Sequence, residues 1–524
     1  MSDDKTAVNT LPFPPDYRAS GVLLHVTSLP SAYGIGDIGP GAFSWIDRLY
    51  ESDQGWWQAL PLGPTGYGDS PYSCLSSFAG NGLLISPDFL IEDGLLEPHE
   101  CEGEFSVNTI DYATVVPFKH RLLKAVWNRF RAGIREDLIP AYREFCDSRA
   151  AWLEDYALYR ALKAAYRSSS FLDWPEELIR REPLALLRAR RELAPEIDRV
   201  RLAQFLLNRQ AQRLKEHAHA RGVRIIGDLP FFVSLDSSDV WANPELFHLD
   251  EKRRPQFVAG VPPDYFSSTG QLWGNPVYNW KAHKETGYAW CLARIRALLS
   301  HVDVIRLDHF RAFAAAWHIP AGVATAESGE WAAGPGVEFF NVVQSQLGRL
   351  PFIAEDLGML TPDVLALRDH FQIPGTKVLQ FAFDGSVDNV HLPQNYSVNS
   401  VVYTGTHDNA TSRQWFEGLS ETQRRRLWDL VGRSKGDCRD AAPDLIRLAW
   451  SSQAALAITP LQDLLNLGHA GRMNVPGIAE GNWRWRATRQ MIAPESFQWQ
   501  WLKNLTTSSN RCGLVQSPVL EVAS

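Results

Sequence analysis

Eight apolar runs of strand length recur along the chain, and several end at Gly, Pro or an acidic residue. They are "GVLLHV" from 21, "GWWQALPL" from 55, "GVRIIGD" from 222, "HVDVIRLD" from 301, "PFIAED" from 351, "TKVLQFAF" from 376, "SVVYTGTHD" from 400 and "LAITPLQ" from 456. The segments linking the later runs read as helices. After "PFIAED", the stretch "TPDVLALRDHF" opens on Thr361 as N-cap, with Pro362 at the first helical position, and stops before Pro374-Gly375. A strand–helix–strand rhythm argues for a parallel sheet. Eight such strands fit an α/β fold of the closed (β/α)8 TIM-barrel type. A doubly wound open sheet is the alternative, but no Gly-rich dinucleotide fingerprint follows the first run.

The spacing is uneven. Roughly 160 residues separate the second run from the third, far more than an ordinary connection. We read 65–220 as a largely helical insertion subdomain within a single barrel spanning 1–524. Its Arg/Ala/Leu/Glu-rich part, from about 115, includes "LALLRARRELAPEIDRVRLAQFLLNRQAQRLKEH", whose mixed charges read as a solvated helix face. A second insertion, 231–300, is rich in Pro, Gly, Trp and Tyr and reads as loops, one of them covering substrate. The chain ends soon after the eighth run, which leaves no room for a separate C-terminal β-domain.

Composition narrows the function classes. At 45% hydrophobic and 21% charged the chain is globular, and a net charge of -8 without a long basic run argues against nucleic acid. No apolar stretch is long enough to span a bilayer, and residues 1–20 lack the charged start and apolar centre of a signal peptide. Six scattered cysteines show no paired metal-ligand spacing, so reduced thiols and a cytoplasmic location are expected. Among 19 tryptophans, Trp241, Trp273, Trp280, Trp331, Trp483 and Trp485 sit beside Gly, Asn, Asp or Pro, as a sugar-stacking set would.

The acids at the run ends carry the chemistry. In a barrel the active site lies at the C-terminal face of the strands. Asp228, Asp308, Glu355 with Asp356, and Asp408 all fall there. One such acid is ordinarily a helix N-cap or a surface ion pair; four run ends carrying acids suggest converging carboxylates. A retaining glycosidase needs two, one to attack and one to protonate the leaving oxygen. Arg306 stands two residues before Asp308, with the parity to face the same side of the strand. Its charge is expected to keep Asp308 ionised at neutral pH.

The motifs "VIRLDHF", "FIAEDLG" and "YTGTHDN" resemble the strand-end motifs of the α-amylase superfamily. With "LPLGPTGYGDSPYS", "GDLPFFV", "PPDYFSSTGQLWGNPVYNW" and "GRMNVPG", the chain resembles glycoside hydrolase family 77, the amylomaltases or disproportionating 4-α-glucanotransferases, from about Gly21 to Trp485. That resemblance implies transfer of α-1,4-glucan segments between maltooligosaccharides or glucans, by a retaining double displacement that releases glucose. It makes Asp308 the nucleophile, Glu355 the general acid/base and Asp408 the carboxylate that stabilises the transition state through the sugar hydroxyls. Asp356 has the chemistry for the acid role too, and only the motif selects Glu355. The resemblance places Tyr67, Tyr72, Asp228, Asp264, Trp273, Arg306, His407 and Asn474 at the substrate. It implies no cofactor and no metal, with α-1,4-glucans as partners, neither nucleic acid nor membrane, and a monomer or weak homo-oligomer.

Both transferase and hydrolase pass through the same covalent intermediate, so an α-1,4-glucan hydrolase is the nearest alternative. A glucan-binding protein on a decayed barrel is expected to lack one of Asp308, Glu355 and Asp408, yet all three are present. A barrel enzyme for phosphorylated metabolites calls for a Gly-rich phosphate loop late in the chain. "GLS" near 418 and "NLGHAGR" near 466 are weak matches to one.

Overall fold

The computed structural model describes residues 12–14, 16–167, 169–263 and 268–513. Its strands, in chain order, are β1 (Ala19–Leu23), β2 (Trp56–Gln58), β3 (Arg224–Leu229), β4 (Phe257–Val261), β5 (Gln271–Pro276), β6 (Val304–Leu307), β7 (Ala315–Pro320), β8 (Glu330–Ala333), β9 (Phe352–Ala354), β10 (Gly375–Val378), β11 (Ser400–Tyr403) and β12 (Leu456–Pro460). Eight of them close a parallel barrel in the order β1-β2-β3-β6-β9-β10-β11-β12, with β12 paired back to β1. These eight are the runs found in the sequence. Each is short because only its apolar centre makes the ladder, and the polar residues beyond its end line the mouth.

Register brings charge into this mouth. Asp228 on β3 is the Cα partner of Arg306 on β6, so the two side chains share a layer. Across the interior the Tyr403 hydroxyl donates to Gln58 Oε1 at 2.8 Å. The barrel top is therefore a polar, hydrogen-bonded layer above an apolar core.

Helices cover the outside through apolar stripes. In Pro40–Glu51 the buried residues are Ala42, Trp45, Ile46 and Leu49, the spacing of one helical face, and Trp45 meets Trp499 edge-on at 5.6 Å. Pro362–His370 begins after Thr361, as the Thr-Pro pair predicted, and β10 follows it. The charged stretch around 183–217 forms two helices, Pro183–Glu192 and Ala194–Ala220, broken ahead of Pro195. Its charges pair along the surface, as in Arg201–Asp198 at 2.9 Å.

The 231–300 segment departs from the expected loops. It contributes β4 and β5 to a second, antiparallel sheet, β5-β4-β7-β8, and adds the helices Trp280–Glu285 and Ala289–Leu299. The sheet is completed by β7 and β8, from 315–333, a stretch that the sequence reading does not assign to strands. Among the described residues no strand follows β12.

Candidate active site

Four acidic side chains converge at the C-terminal ends of the barrel strands. Asp308 and Glu355 each stand one residue past their strands, β6 and β9, which are neighbours. Arg306 Nη1 joins two of the acids, donating to Asp228 Oδ1 and Oδ2 at 2.9 and 2.8 Å and to Asp308 Oδ1 at 3.0 Å. Asp228 is sealed beneath it at 0% side-chain exposure, whereas Asp308 keeps 27% and faces the opening. Asp228 thus holds the guanidinium, and the guanidinium aims Asp308.

Burial dominates the proton affinities. It lifts Asp308 to about 7, against the pull of Arg306, so that carboxyl is less acidic than the arginine alone implied. Glu355 rises further, to about 8, again through burial, with Arg306 opposing and the Asp308 charge adding to the rise. Asp308 has the direct guanidinium bond and Glu355 does not, so the proton the pair holds near neutral pH resides on Glu355.

Backbone geometry fixes Glu355. The His309 N–H donates to its Oε2 at 2.7 Å and the Leu357 N–H to Oε1 at 3.3 Å. His309 reaches this pose in the left-handed region, φ 48°, which turns its amide back toward β9. Asp356 points elsewhere: it is bonded to Arg368 at 2.5 Å and to the Thr376 N–H at 2.7 Å. Glu355 and Asp356 thus differ in side-chain direction, as adjacent residues leave a strand on opposite faces.

Asp408 is half-exposed on the far side of the mouth, where Asn474 Nδ2 donates to its Oδ1 at 2.7 Å. His407 Nε2 lies 3.4 Å from Asp408 Oδ2, and burial lowers its affinity for a proton. The Tyr72 ring stacks on His407, centroids 5.2 Å apart and 12° from parallel, while its hydroxyl donates to Asp228 Oδ2 at 2.9 Å. Tyr72 therefore ties the β11 side of the mouth to the β3 side.

Trp273, on β5, is 39% exposed and meets the His309 ring edge-on at 4.8 Å. The second sheet thereby reaches the residue beside the nucleophile candidate. Tyr67 is 82% exposed and makes no hydrogen bond or ring contact with this network among the described residues. Asp264, with Tyr265 and Phe266, lies outside the described residues. The tryptophan set divides: Trp241 and Trp485 are buried, Trp241 bonding Leu178 O at 2.9 Å, and Trp331 lies under Arg311 at 3.8 Å. Only Trp273 and Trp483 of that group touch the rings at the mouth, Trp483 at 6.0 Å from both Tyr72 and His407.

His309 is the residue that the sequence reading passes over, and Trp483 is singled out there only as one of six tryptophans. His309 had a signal, a second acid-histidine pair in "LDH" to set beside "THD". Trp483 owes its place to a positive φ and a loop closure that no local pattern announces. Among the described residues no group of three or more His, Cys, Asp or Glu is arranged to hold a metal ion.

The family profile described as 4-alpha-glucanotransferase, glycoside hydrolase family 77, matches residues 24–491. A 4-alpha-glucanotransferase of Synechocystis sp. is 50% identical over 477 residues, covering 90% of this chain and 94% of that protein. One from Aquifex aeolicus is 45% identical over 482 residues, 92% and 97% of the two chains. The solved amylomaltase from Streptococcus agalactiae in complex with acarbose superposes with a TM-score of 0.90 at 36% identity, over 94% of this chain and 99% of that one. On an acidic mouth built at the predicted strand ends, and on likeness running through nearly its whole length, the chain belongs to glycoside hydrolase family 77, the 4-α-glucanotransferases.

Proposed function

We propose that this protein transfers α-1,4-glucan segments from a donor maltooligosaccharide or glucan to the 4-hydroxyl of an acceptor glucose or glucan. One observation carries the chemistry. Two neighbouring carboxyls differ in their partners, Asp308 bonded to the Arg306 guanidinium, Glu355 held by backbone N–H groups and the more basic. Such a pair supplies a nucleophile and a general acid together.

In this mechanism the Asp308 carboxylate attacks the anomeric carbon while Glu355 gives its proton to the departing glycosidic oxygen. The reducing-end fragment leaves and a glucosyl ester of Asp308 remains. The acceptor 4-hydroxyl then enters from the side the leaving group vacated. Glu355, now a carboxylate, takes its proton, and the ester breaks with net retention. Asp408 and His407 hold the ring hydroxyls, Tyr72 stacks on the sugar being cleaved, and Asp228 supports Arg306. Tyr67 stands near Tyr72, Trp273 and Asp264 belong to a loop over the acceptor side, and Asn474 to a second loop flanking the groove.

Transfer is favoured over hydrolysis by excluding water and by presenting the acceptor at high effective concentration. Trp273 against His309 and Asn474 against Asp408 support such a framed groove. The reading treats the chain as one catalytic barrel with insertions at 65–220 and 231–300. It also takes the enzyme as a monomer or weak homo-oligomer. Among the described residues no helix is long and apolar enough to cross a membrane, and the six cysteines are unpaired, which supports a cytoplasmic site of action.

Maltotriose as sole substrate tests the proposal. Glucose together with maltopentaose and longer chains, at nearly constant total reducing ends, is the expected outcome, and Asp308→Asn should abolish both products. Rising reducing ends with only glucose and maltose would make it a hydrolase.

A further inference from the structure

Residues 473–482 form a closed loop with almost no core of its own. Positions 476–481 are all exposed, Ile478 among them at 56%. The loop is closed by the Trp483 N–H donating to Met473 O at 2.9 Å. Inside it, one amide does the bracing. Asn482 is buried, its Oδ1 accepts from the Val475 N–H at 3.0 Å, and its Nδ2 donates to Val475 O at 3.3 Å and Ile478 O at 2.7 Å. The braced loop carries Asn474, which donates to Asp408.

The next residue faces the other way. Trp483 is buried at φ 64°, a region that disfavours a bulky side chain and survives only where surroundings enforce it. Here the Tyr112 hydroxyl donates to its carbonyl at 3.0 Å, while its own N–H is committed to Met473. The strained turn delivers the indole behind the stacked Tyr72 and His407 rings, 6.0 Å from each. Two consecutive residues thus join the loop over the groove to the ring stack at the mouth.

We propose that Asn482 and Trp483 are a positioning pair that sets the split between glucan transfer and hydrolysis. The inference rests on the transferase reading and names a control within that site. An acceptor sugar needs a formed wall to present its hydroxyl; water does not. Loosening the loop leaves Asp308 and Glu355 in place, because β6 and β9 carry them. The glucosyl ester still forms, and water intercepts more of it.

The test uses the full chain with maltotriose, counting hydrolysed against transferred glucosyl units. In Asn482→Leu the hydrolysis-to-transfer ratio should rise about tenfold, the scale of leaving one buried polar group unpaired. Asn482→Asp keeps the acceptor for the Val475 N–H and should fall between Leu and wild type. It also carries the test if the leucine variant does not fold. Hydrogen exchange of the Val475 amide should quicken in the same order. An unchanged ratio in the folded variants, with transfer and hydrolysis falling together, would overturn the proposal. A wild-type chain that only hydrolyses would instead overturn the transferase reading itself.

Discussion

At Asp308 and Glu355 one cause, burial, acts on two carboxyls whose neighbours differ. Asp308 gains a direct guanidinium bond; Glu355 receives only backbone N–H groups and stays the more basic, at about 8 against about 7. In the proposed mechanism activity requires Asp308 ionised and Glu355 protonated. It should rise as pH increases through the lower value and fall through the higher, giving a bell whose acid limb lies above the ordinary carboxylate range. Both limbs belong to the coupled pair. Glu355→Gln removes the alkaline limb, and because Glu355 is already neutral where Asp308 ionises, the acid limb should stay near its wild-type position. The loss in kcat/KM should be about 10²–10⁴-fold, read from the pH dependence of maltotriose turnover. That Asp308 is strand-borne and aimed by Arg306 was legible in the sequence, from "VIRLD" and its two-residue parity. That burial outweighs Arg306 was not, because it depends on what the other strands and loops pack over the site.

Among the elements, the barrel strands were legible and the second sheet was not. Each barrel strand is a contiguous apolar run, whereas β4 and β5 contain glycines and a proline and face solvent in part. The pairing of β4 with β7, from 315–320, is non-local, so no single window contains the evidence for it. This sheet bears on the site through more than Trp273. Trp331 of β8 lies under Arg311, which donates to Met359 O at 2.8 Å in the segment that follows Glu355. Trp331→Ala should cost about 1–2 kcal/mol through the lost cation–π contact. The expected signature is faster limited proteolysis within 357–361, with the barrel resistant. Uniform loss of protection would mean that the contact serves the whole fold instead.

For the whole molecule, closure of the barrel depends on a residue near its C-terminal end. Arg511, fully buried, donates to Trp450 O at 2.7 Å, Ala19 O at 3.1 Å and Ser452 O at 2.7 Å. Those carbonyls lie on β1 and just ahead of β12, the two strands that meet where the first and last halves of the sheet join. Arg511→Met removes one donor from each of them, leaving Arg18 to reach Ser452 O and Trp450 O, and should destabilise the fold by about 1–3 kcal/mol. The measurement is the unfolding midpoint, and a midpoint equal to wild type would show that other groups or water satisfy them. By itself the sequence determined the barrel, its order of strands along the chain and the acids at their ends, because apolar periodicity and strand-end position are local properties. Only the tertiary structure decided which acid faces the mouth, how strongly each holds its proton, where the second sheet lies and how Asn482 and Trp483 tie loop to site. Those depend on side-chain direction, desolvation and non-local pairing, which exist only once distant segments are packed together.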